Sequence, residues 1–140
     1  MSEASALPCP CGRGQRYAEC CEPLHAGEPA PTAERLMRSR YSAFALGLGA
    51  YLLDSWHPST RPESLELDPE VEWRRLLVET TERGGPFDRE GFVVFTAIGR
   101  TPEGRFEQRE RSRFLRDRDG LAATAPERWR YVDGDPLDAS

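Results

Sequence analysis

The chain has 140 residues, a length that suits one compact domain and excludes two full domains. Its net charge is −5. All 19 basic residues are arginines, but the acidic balance argues against non-specific binding to nucleic acid, which depends mainly on phosphate neutralisation. Residues 1–8 carry no basic segment followed by an apolar run, and no stretch approaches the length of a membrane span. We therefore expect a cytoplasmic protein whose cysteines stay reduced.

All the cysteines of the chain lie together near its start, around a glycine-containing turn: Cys9, Cys11, Cys20 and Cys21. Clustered thiolates of this kind enclose a tetrahedral metal ion, and zinc is the usual occupant. A disulfide within either pair is disfavoured, because an unstrained bridge needs Cα atoms at least about 4.4 Å apart with converging Cβ vectors. We predict a structural Zn²⁺ site with these four ligands. Cross-paired disulfides, a redox role and unliganded thiols are the alternatives.

A histidine, two arginines and a tyrosine near the cysteines are candidates for metal binding, charge compensation or partner contact. His25 either substitutes for one cysteine ligand or, as we expect, is an exposed histidine in a linker. Arg13 and Arg16 would offset the negative charge of four thiolates around one zinc ion. Together with Tyr17, these arginines are the expected contacts for a partner of the knuckle.

Two helices are predicted after a linker rich in proline at residues 22–31. Thr32 offers an N-cap, and apolar side chains spaced by three and four residues predict a helix over residues 33–48. A shorter helix is predicted over residues 50–56.

The second half of the chain has the pattern of strands. One helical turn is expected at residues 68–70, where an aspartate precedes a proline. Runs rich in β-branched and aromatic residues follow, separated by glycine and proline turn signals, at residues 76–81, 92–98, 106–115 and 128–132. Two helices followed by hairpin-linked strands predict an α+β fold, with the helices packed on one face of a largely antiparallel sheet.

The strand predicted over residues 106–115 has two different faces. One face is charged and is interpreted as solvated. The other is apolar at its ends and polar in its middle, and it carries Phe106, Gln108, Glu110, Ser112 and Phe114. Buried polar groups need partners. The pattern fits a hydrogen-bonded cluster or an open edge, or else a concave sheet that lines a ligand pocket.

The spacing of the four cysteines and Gly14 resembles the SEC-C motif, a zinc knuckle, with Arg13 where serine is usual. Further runs resemble bacterial proteins of the YchJ type, at residues 31–34, 36–44, 56–61, 110–114 and 129–134. Arg109 stands where a histidine is expected, and residues 121–127 look like an insertion.

The resemblance implies a nuclear transport factor 2-like cone, in which helices fold over a curved antiparallel sheet, and it implies no particular reaction. The knuckle would comprise residues 1–27 and the α+β domain residues 31–135. Because the apolar stripes of that domain lie downstream, we expect a chain beginning after Pro29 to fold by itself.

A pocket inside such a cone would bring together side chains from the helices and the polar strand: Tyr41, Trp56, His57, Gln108, Glu110 and Ser112. The candidates for catalysis are His57, as a base near neutral pH, and Glu110, although His57 could simply cap a helix end. Arg38 and Arg40 are interpreted as a solvated face of the first helix, or one of them points into the cone and binds an anion.

Three functions fit these features. The leading hypothesis is a non-enzymatic zinc adaptor whose knuckle engages a protein partner, and the second is a small-molecule binder or enzyme that uses the cone. Nucleic-acid binding through the knuckle is the third, weakened by the acidic balance. An adaptor predicts Glu110 and Ser112 held by protein groups without a ligand-sized cavity. An enzyme predicts a pocket of about 300 Å³ or more, faced by His57 and Glu110.

Overall fold

The computed structural model describes residues 6–118 and 127–137. It contains a 3₁₀ turn (Tyr17–Glu19), helices α1 (Glu22–His25), α2 (Ala33–Leu46) and α3 (Gly49–Asp54), and strands β1 (Glu72–Arg83), β2 (Glu90–Thr101), β3 (Gly104–Arg118) and β4 (Glu127–Pro136). The strands form an antiparallel sheet in the order β1-β2-β3-β4. This arrangement confirms the predicted α+β class. None of these helices is long and apolar enough to cross a membrane.

Helix α2 begins at the predicted residue because Thr32 caps it. The Thr32 hydroxyl oxygen accepts a hydrogen bond from the Arg35 backbone N–H at 3.1 Å. The helix ends at Leu46, before the predicted residue 48, since Gly47 adopts a left-handed conformation with a φ of 75°.

The segment after α3 is extended and joins the sheet. Trp56 forms a parallel bridge with Tyr131 of β4, and the His57 N–H donates to the Tyr131 carbonyl at 2.7 Å. Helix α3 therefore ends at Asp54, short of the predicted residue 56.

Each strand extends past its predicted bounds, because pairing continues from the β-branched core of the strand into polar flanking residues. The helical turn predicted at residues 68–70 is instead a turn in which Asp68 Oδ1 accepts from the Glu70 N–H at 2.9 Å. Residues 121–126 of the predicted insertion lie outside the described residues, and β4 begins at Glu127.

The pairing of both edge strands with their neighbours is irregular. The register shifts between Trp73 and Arg75, between Val78 and Thr80, and between Arg113 and Phe114. Bulges of this kind bend a strand and increase its twist. Register shifts at these positions fit the curved sheet that the cone interpretation requires.

Strand β3 has the orientation that its alternation predicts. Its arginine face points outward, where the N–O distances of the ion pairs Arg109–Glu79, Arg111–Glu82 and Arg113–Glu90 are each 2.9 Å. Exposed pairs contribute only about 0–1 kcal/mol each, so they keep this face polar more than they stabilise it. Ser112 and Phe114 of the opposite face are buried.

The N-terminal knuckle belongs to the core and is not an appendage. Tyr17 and Leu24 are buried, and with the four cysteines they form part of the same cluster as Leu36 and Phe95. A chain beginning after Pro29 would leave this side of α2 uncovered. Independent folding of that chain stays a prediction, and the shared core argues against it.

We predict that Leu24→Ala lowers the free energy of unfolding by about 2–5 kcal/mol, because truncation leaves a cavity in this shared core. Leu24 is 4% exposed, whereas Leu7 of the same knuckle is 59% exposed, so Leu7→Ala is the matched control and should cost less than about 0.5 kcal/mol. Urea unfolding followed by tryptophan fluorescence reports on the cone, since every tryptophan lies outside the knuckle. An unchanged midpoint for Leu24→Ala would mean that knuckle and cone unfold independently.

Candidate functional site

The four cysteines meet at one point. Their Sγ atoms all lie within 4.8 Å of one another, and each residue is at most 4% exposed. The Cys11–Cys20 and Cys20–Cys21 sulfurs are 3.5 and 3.9 Å apart, far beyond a disulfide bond of about 2.05 Å. A tetrahedral ion with Zn–S distances of about 2.3 Å separates its sulfurs by about 3.8 Å. The cluster therefore has the donor atoms and the size to hold one metal ion.

A tight turn brings these sulfurs together. Gly12 and Gly14 have φ angles of 77° and 94°, which residues with a Cβ rarely adopt. The Cys9 N–H donates to the Gln15 carbonyl at 2.9 Å and closes the turn. Two glycines therefore let a short peptide fold back on itself.

The side chains of the turn depart in part from the sequence prediction. Arg13 Nη1 lies 3.9 Å from Cys20 Sγ, so its charge offsets that of a thiolate, as expected. Arg16 instead pairs with Glu19. Tyr17, expected to face a partner, is buried.

Helix α2 meets the knuckle through a second, half-buried face. Arg38 Nη1 donates to the Cys11 carbonyl at 3.0 Å, and Arg35 Nη2 donates to the Cys20 carbonyl at 2.9 Å. The interpretation of Arg38 as solvated is therefore wrong. The signal that could have found this face is the spacing of Arg35, Arg38 and Ser42, which places polar side chains on one side of a helix.

Hydrogen bonds among the sulfurs set their protonation. Hydrogen bonds with Cys11 and Cys9, together with burial, raise the pKa of the Cys21 thiol, whereas hydrogen bonds with Cys11 and Cys21 lower the pKa of Cys9. The Ser42 hydroxyl lies 3.4 Å from the sulfurs of both Cys9 and Cys21. Buried sulfurs of this kind suit a divalent cation, which displaces the thiol protons on binding.

His25 is neither a ligand nor an exposed linker residue. Its Nε2 lies 2.8 Å from the Ser39 carbonyl, which can only accept, so Nε2 carries the proton. Nδ1 then accepts from the Tyr17 hydroxyl at 2.6 Å. Burial lowers the pKa of His25, which favours this neutral form. The imidazole thus joins the knuckle to α2.

A cavity of about 240 Å³ lies between α2 and the inner face of the sheet. Its lining includes most of the predicted pocket residues, namely Tyr41, Trp56, Gln108, Glu110 and Ser112. Sequence analysis placed Phe114 on the inner face of its strand but missed the aromatic walls contributed by Trp73, Phe95 and Tyr131. The volume lies below the about 300 Å³ that the enzyme hypothesis predicts and leaves room only for a molecule smaller than a drug-sized ligand.

Glu110 has a fixed position in the cavity wall. The Ser112 hydroxyl donates to its Oε2 at 2.5 Å. The carboxylate lies against Gly134 of β4, where a Cβ would collide with it. The carboxylate is therefore held by a neighbour on its own strand, and Gly134 leaves the space that it occupies.

Arg40 is buried in the cavity wall, so its interpretation as a solvated residue is wrong. It is 6% exposed, and its Nη1 donates to the Leu52 carbonyl at 2.8 Å and to the Ser55 hydroxyl at 2.6 Å. The guanidinium carbon lies 5.2 Å from the ring centroid of Trp56 and 4.6 Å from that of Tyr131. Burial lowers the pKa of Arg40 to about 10, so the charge is retained at neutral pH.

His57 is not among the described residues that line the cavity. Its Nδ1 accepts from the Ser59 N–H at 3.1 Å, and its Nε2 donates to Asp117 Oδ2 at 2.7 Å. The structure therefore does not bring His57 and Glu110 together. Burial raises the pKa of Tyr41 and Tyr131 to about 12, so these two phenols stay protonated and offer no base in the cavity.

The hydrogen bonds of His25 predict a pH dependence. Because the folded-state pKa is lowered, the neutral imidazole stabilises the fold above the unfolded pKa of about 6.5, and this contribution is lost as the pH falls toward the folded pKa. His25→Gln removes the titration but keeps a donor and an acceptor. We expect the stability difference between wild type and this variant to shrink from pH 7.5 to pH 5.5 in urea unfolding. A constant difference would show that His25 is not held neutral.

Comparison with known proteins identifies the two parts of the chain. The family described as YchJ, middle NTF2-like domain, matches residues 32–134, and the SEC-C motif matches residues 7–23. A UPF0225 protein of Streptomyces coelicolor is 47% identical over 132 residues, which cover 94% of this chain and 97% of the relative. A UPF0225 protein of Corynebacterium efficiens is 56% identical over 95 residues, 67% of this chain and 73% of the relative.

Two solved structures are similar along nearly the whole chain. The crystal structure of a SEC-C motif containing protein from Psychrobacter arcticus covers 98% of this chain and 86% of its own, with 27% identity and a TM-score of 0.78. The solution structure of a SEC-C motif containing protein from Rhodopseudomonas palustris covers 93% of this chain and 98% of its own, with 30% identity and a TM-score of 0.73. Both neighbours share this fold and contain a SEC-C motif, and the chain belongs to the YchJ-type UPF0225 family, with an N-terminal SEC-C motif and an NTF2-like domain.

Proposed function

We propose that this protein is a cytoplasmic small-molecule-binding protein whose fold is stabilised by a structural Zn²⁺ ion. The observation that carries the proposal is the cavity of about 240 Å³, where aromatic rings and several polar side chains converge between α2 and the sheet. Ligand sites typically have this form, concave and mostly apolar with few placed polar groups. The geometry offers no role for His57, so the proposal is binding without catalysis.

Zinc is the metal that best suits four thiolates: Cys9, Cys11, Cys20 and Cys21. A closed shell of four cysteines leaves no open position for chemistry, so the ion would act as a cross-link. Helix α2 contacts this cluster through Ser42 and the cavity through Arg40 and Tyr41. A zinc ion would therefore hold one wall of the cavity in place.

A protein partner at the knuckle has less support than a ligand in the cone. Of the three expected contact residues, Tyr17 is buried and Arg16 pairs with Glu19, which leaves Arg13. Nucleic acid has less support still, because the arginines on the outer face of β3 are each offset by a glutamate. Ligand binding in the cavity therefore has more support than either of these two functions.

We expect reduced, unchelated protein to contain one Zn²⁺ ion per chain by inductively coupled plasma mass spectrometry. Cys11→Ser should release the ion and lower the melting temperature by at least about 10 °C, because the knuckle and the covered face of α2 lose their cross-link. Arg16→Ala removes an exposed side chain from the same turn and should retain zinc. A zinc content near zero in the wild type would contradict the proposal.

Filling the cavity should weaken ligand binding. Ala97 lines the cavity and is 3% exposed, so Ala97→Leu places extra methyl groups in the empty space. Val94→Leu adds bulk on the outer face of the same strand and is the matched control. Overpacking costs about 1–3 kcal/mol, so the fold of both variants is checked by their ¹H–¹⁵N spectra.

The zinc-loaded proteins are screened with single-ring compounds by saturation-transfer difference NMR. We expect compounds that bind the wild type and Val94→Leu to bind Ala97→Leu at least about tenfold more weakly, a loss of about 1.4 kcal/mol. If no compound distinguishes the two folded variants, the cavity is not a ligand site.

A further inference from the structure

The cavity carries two opposite charges on different walls. Arg40 comes from α2 and Glu110 from β3, and the carboxylate acts electrostatically on the guanidinium. Each group has other hydrogen-bond partners: Arg40 binds Leu52 and Ser55, and Glu110 binds Ser112. The two side chains are therefore not hydrogen-bonded to each other, and both face a molecule placed in the cavity.

Arg40 has donors that the protein does not use. Both of its hydrogen bonds start from Nη1, so Nε and Nη2 make none to the residues that the structure describes. The rings of Trp56 and Tyr131 lie beside the guanidinium carbon. They cannot accept N–H bonds as an oxygen would. Because Arg40 is 6% exposed, an acceptor for these donors has to come from the cavity.

Glu110 offers the complementary acceptor. The Ser112 hydroxyl occupies Oε2, and Oε1 has no hydrogen bond to the described part of the chain. A carboxylate accepts through both oxygens, and the absence of a side chain at Gly134 leaves room for this carboxylate. A ligand donor can therefore meet this oxygen without moving the carboxylate.

The two charges cancel, and this decides the charge of the ligand. A charged ligand would attract one of the two groups and repel the other, so the cost of desolvating it would be compensated only in part. An uncharged ligand that accepts from Arg40 and donates to Glu110 satisfies both groups. Trp73, Phe95 and Phe114 add aromatic walls, and about 240 Å³ leaves room for about one ring.

We propose that the cavity binds an uncharged, planar molecule of one aromatic ring whose amide-like edge accepts from Arg40 and donates to Glu110. Aromatic carboxamides and lactam rings have this edge. The inference rests on the proposed function, that the cavity is a ligand site, and adds the chemical class of the ligand.

Three probes of almost the same shape test this inference: benzamide is neutral, benzoate is an anion and benzamidine is a cation. They are titrated into zinc-loaded full-length protein, and the indole N–H signals are followed by ¹H–¹⁵N NMR. Trp56 and Trp73 line the cavity, whereas Trp129 does not, so the first two signals should move and the third should stay. We expect benzamide to bind at least about tenfold more tightly than either charged probe.

The isosteric change Glu110→Gln then removes one of the two charges. The cavity becomes positive, so benzoate should gain at least about tenfold in affinity relative to benzamide, and the order of the two should approach reversal. Glu107→Gln is the matched control, because Glu107 is exposed on the other face of the same strand and pairs with Arg105. It should leave the order of the three probes unchanged.

The outcomes separate this inference from the proposed function. Preference for benzoate or benzamidine in the wild type, or an order that Glu110→Gln does not change, would overturn the charge-balanced ligand. It would leave the cavity as a binding site. If no probe moves the Trp56 and Trp73 signals, while other compounds bind and are lost in Ala97→Leu, the inference alone fails. If no compound shows that loss, both fail.

Discussion

The contact between the cysteine cluster and helix α2 is the interaction on which the rest of the structure depends. A 14-residue helix has little stability in water by itself, so it needs tertiary contacts. Helix α2 obtains them on two sides. Arg35, Arg38 and Ser42 meet the knuckle, while Arg40 and Tyr41 face the cone interior. A metal ion in the cluster would therefore act on the cavity through one rigid element.

The cone interior combines an apolar lining with charges that remain solvated by protein groups. Arg40 keeps its charge because backbone and hydroxyl oxygens accept from it and aromatic rings lie beside it. Glu110 keeps its place because Gly134 leaves room for the carboxylate. Burying a charged group such as Arg40 costs free energy, and its hydrogen bonds and ring contacts offset that cost here.

Patterns within short stretches of sequence predicted much of this arrangement. The α+β class followed from helical and alternating periodicity, and the start of α2 followed from Thr32 as a cap. The spacing of the cysteines predicted a cluster whose sulfurs do meet. The alternation of residues 106–115 predicted which face of β3 is buried, because side chains on a strand point alternately to opposite sides. The ends of helices and strands were less predictable, since tertiary pairing of Trp56 with β4 decided where α3 ends.

The sequence by itself therefore determined the secondary-structure class, the cysteine cluster and the two faces of the polar strand. Only the tertiary structure decided the environment of the charged and titratable side chains. The helical pattern predicted that Arg38 and Arg40 are solvated. Arg38 instead donates to the Cys11 carbonyl and Arg40 to the Leu52 carbonyl, which lie in separate parts of the chain. His57 was predicted to be a base in the pocket, yet it forms a hydrogen bond with Asp117, 60 positions away. The physical reason is that the environment of a polar side chain depends on which distant segments fold against it, and local periodicity carries no information about those segments.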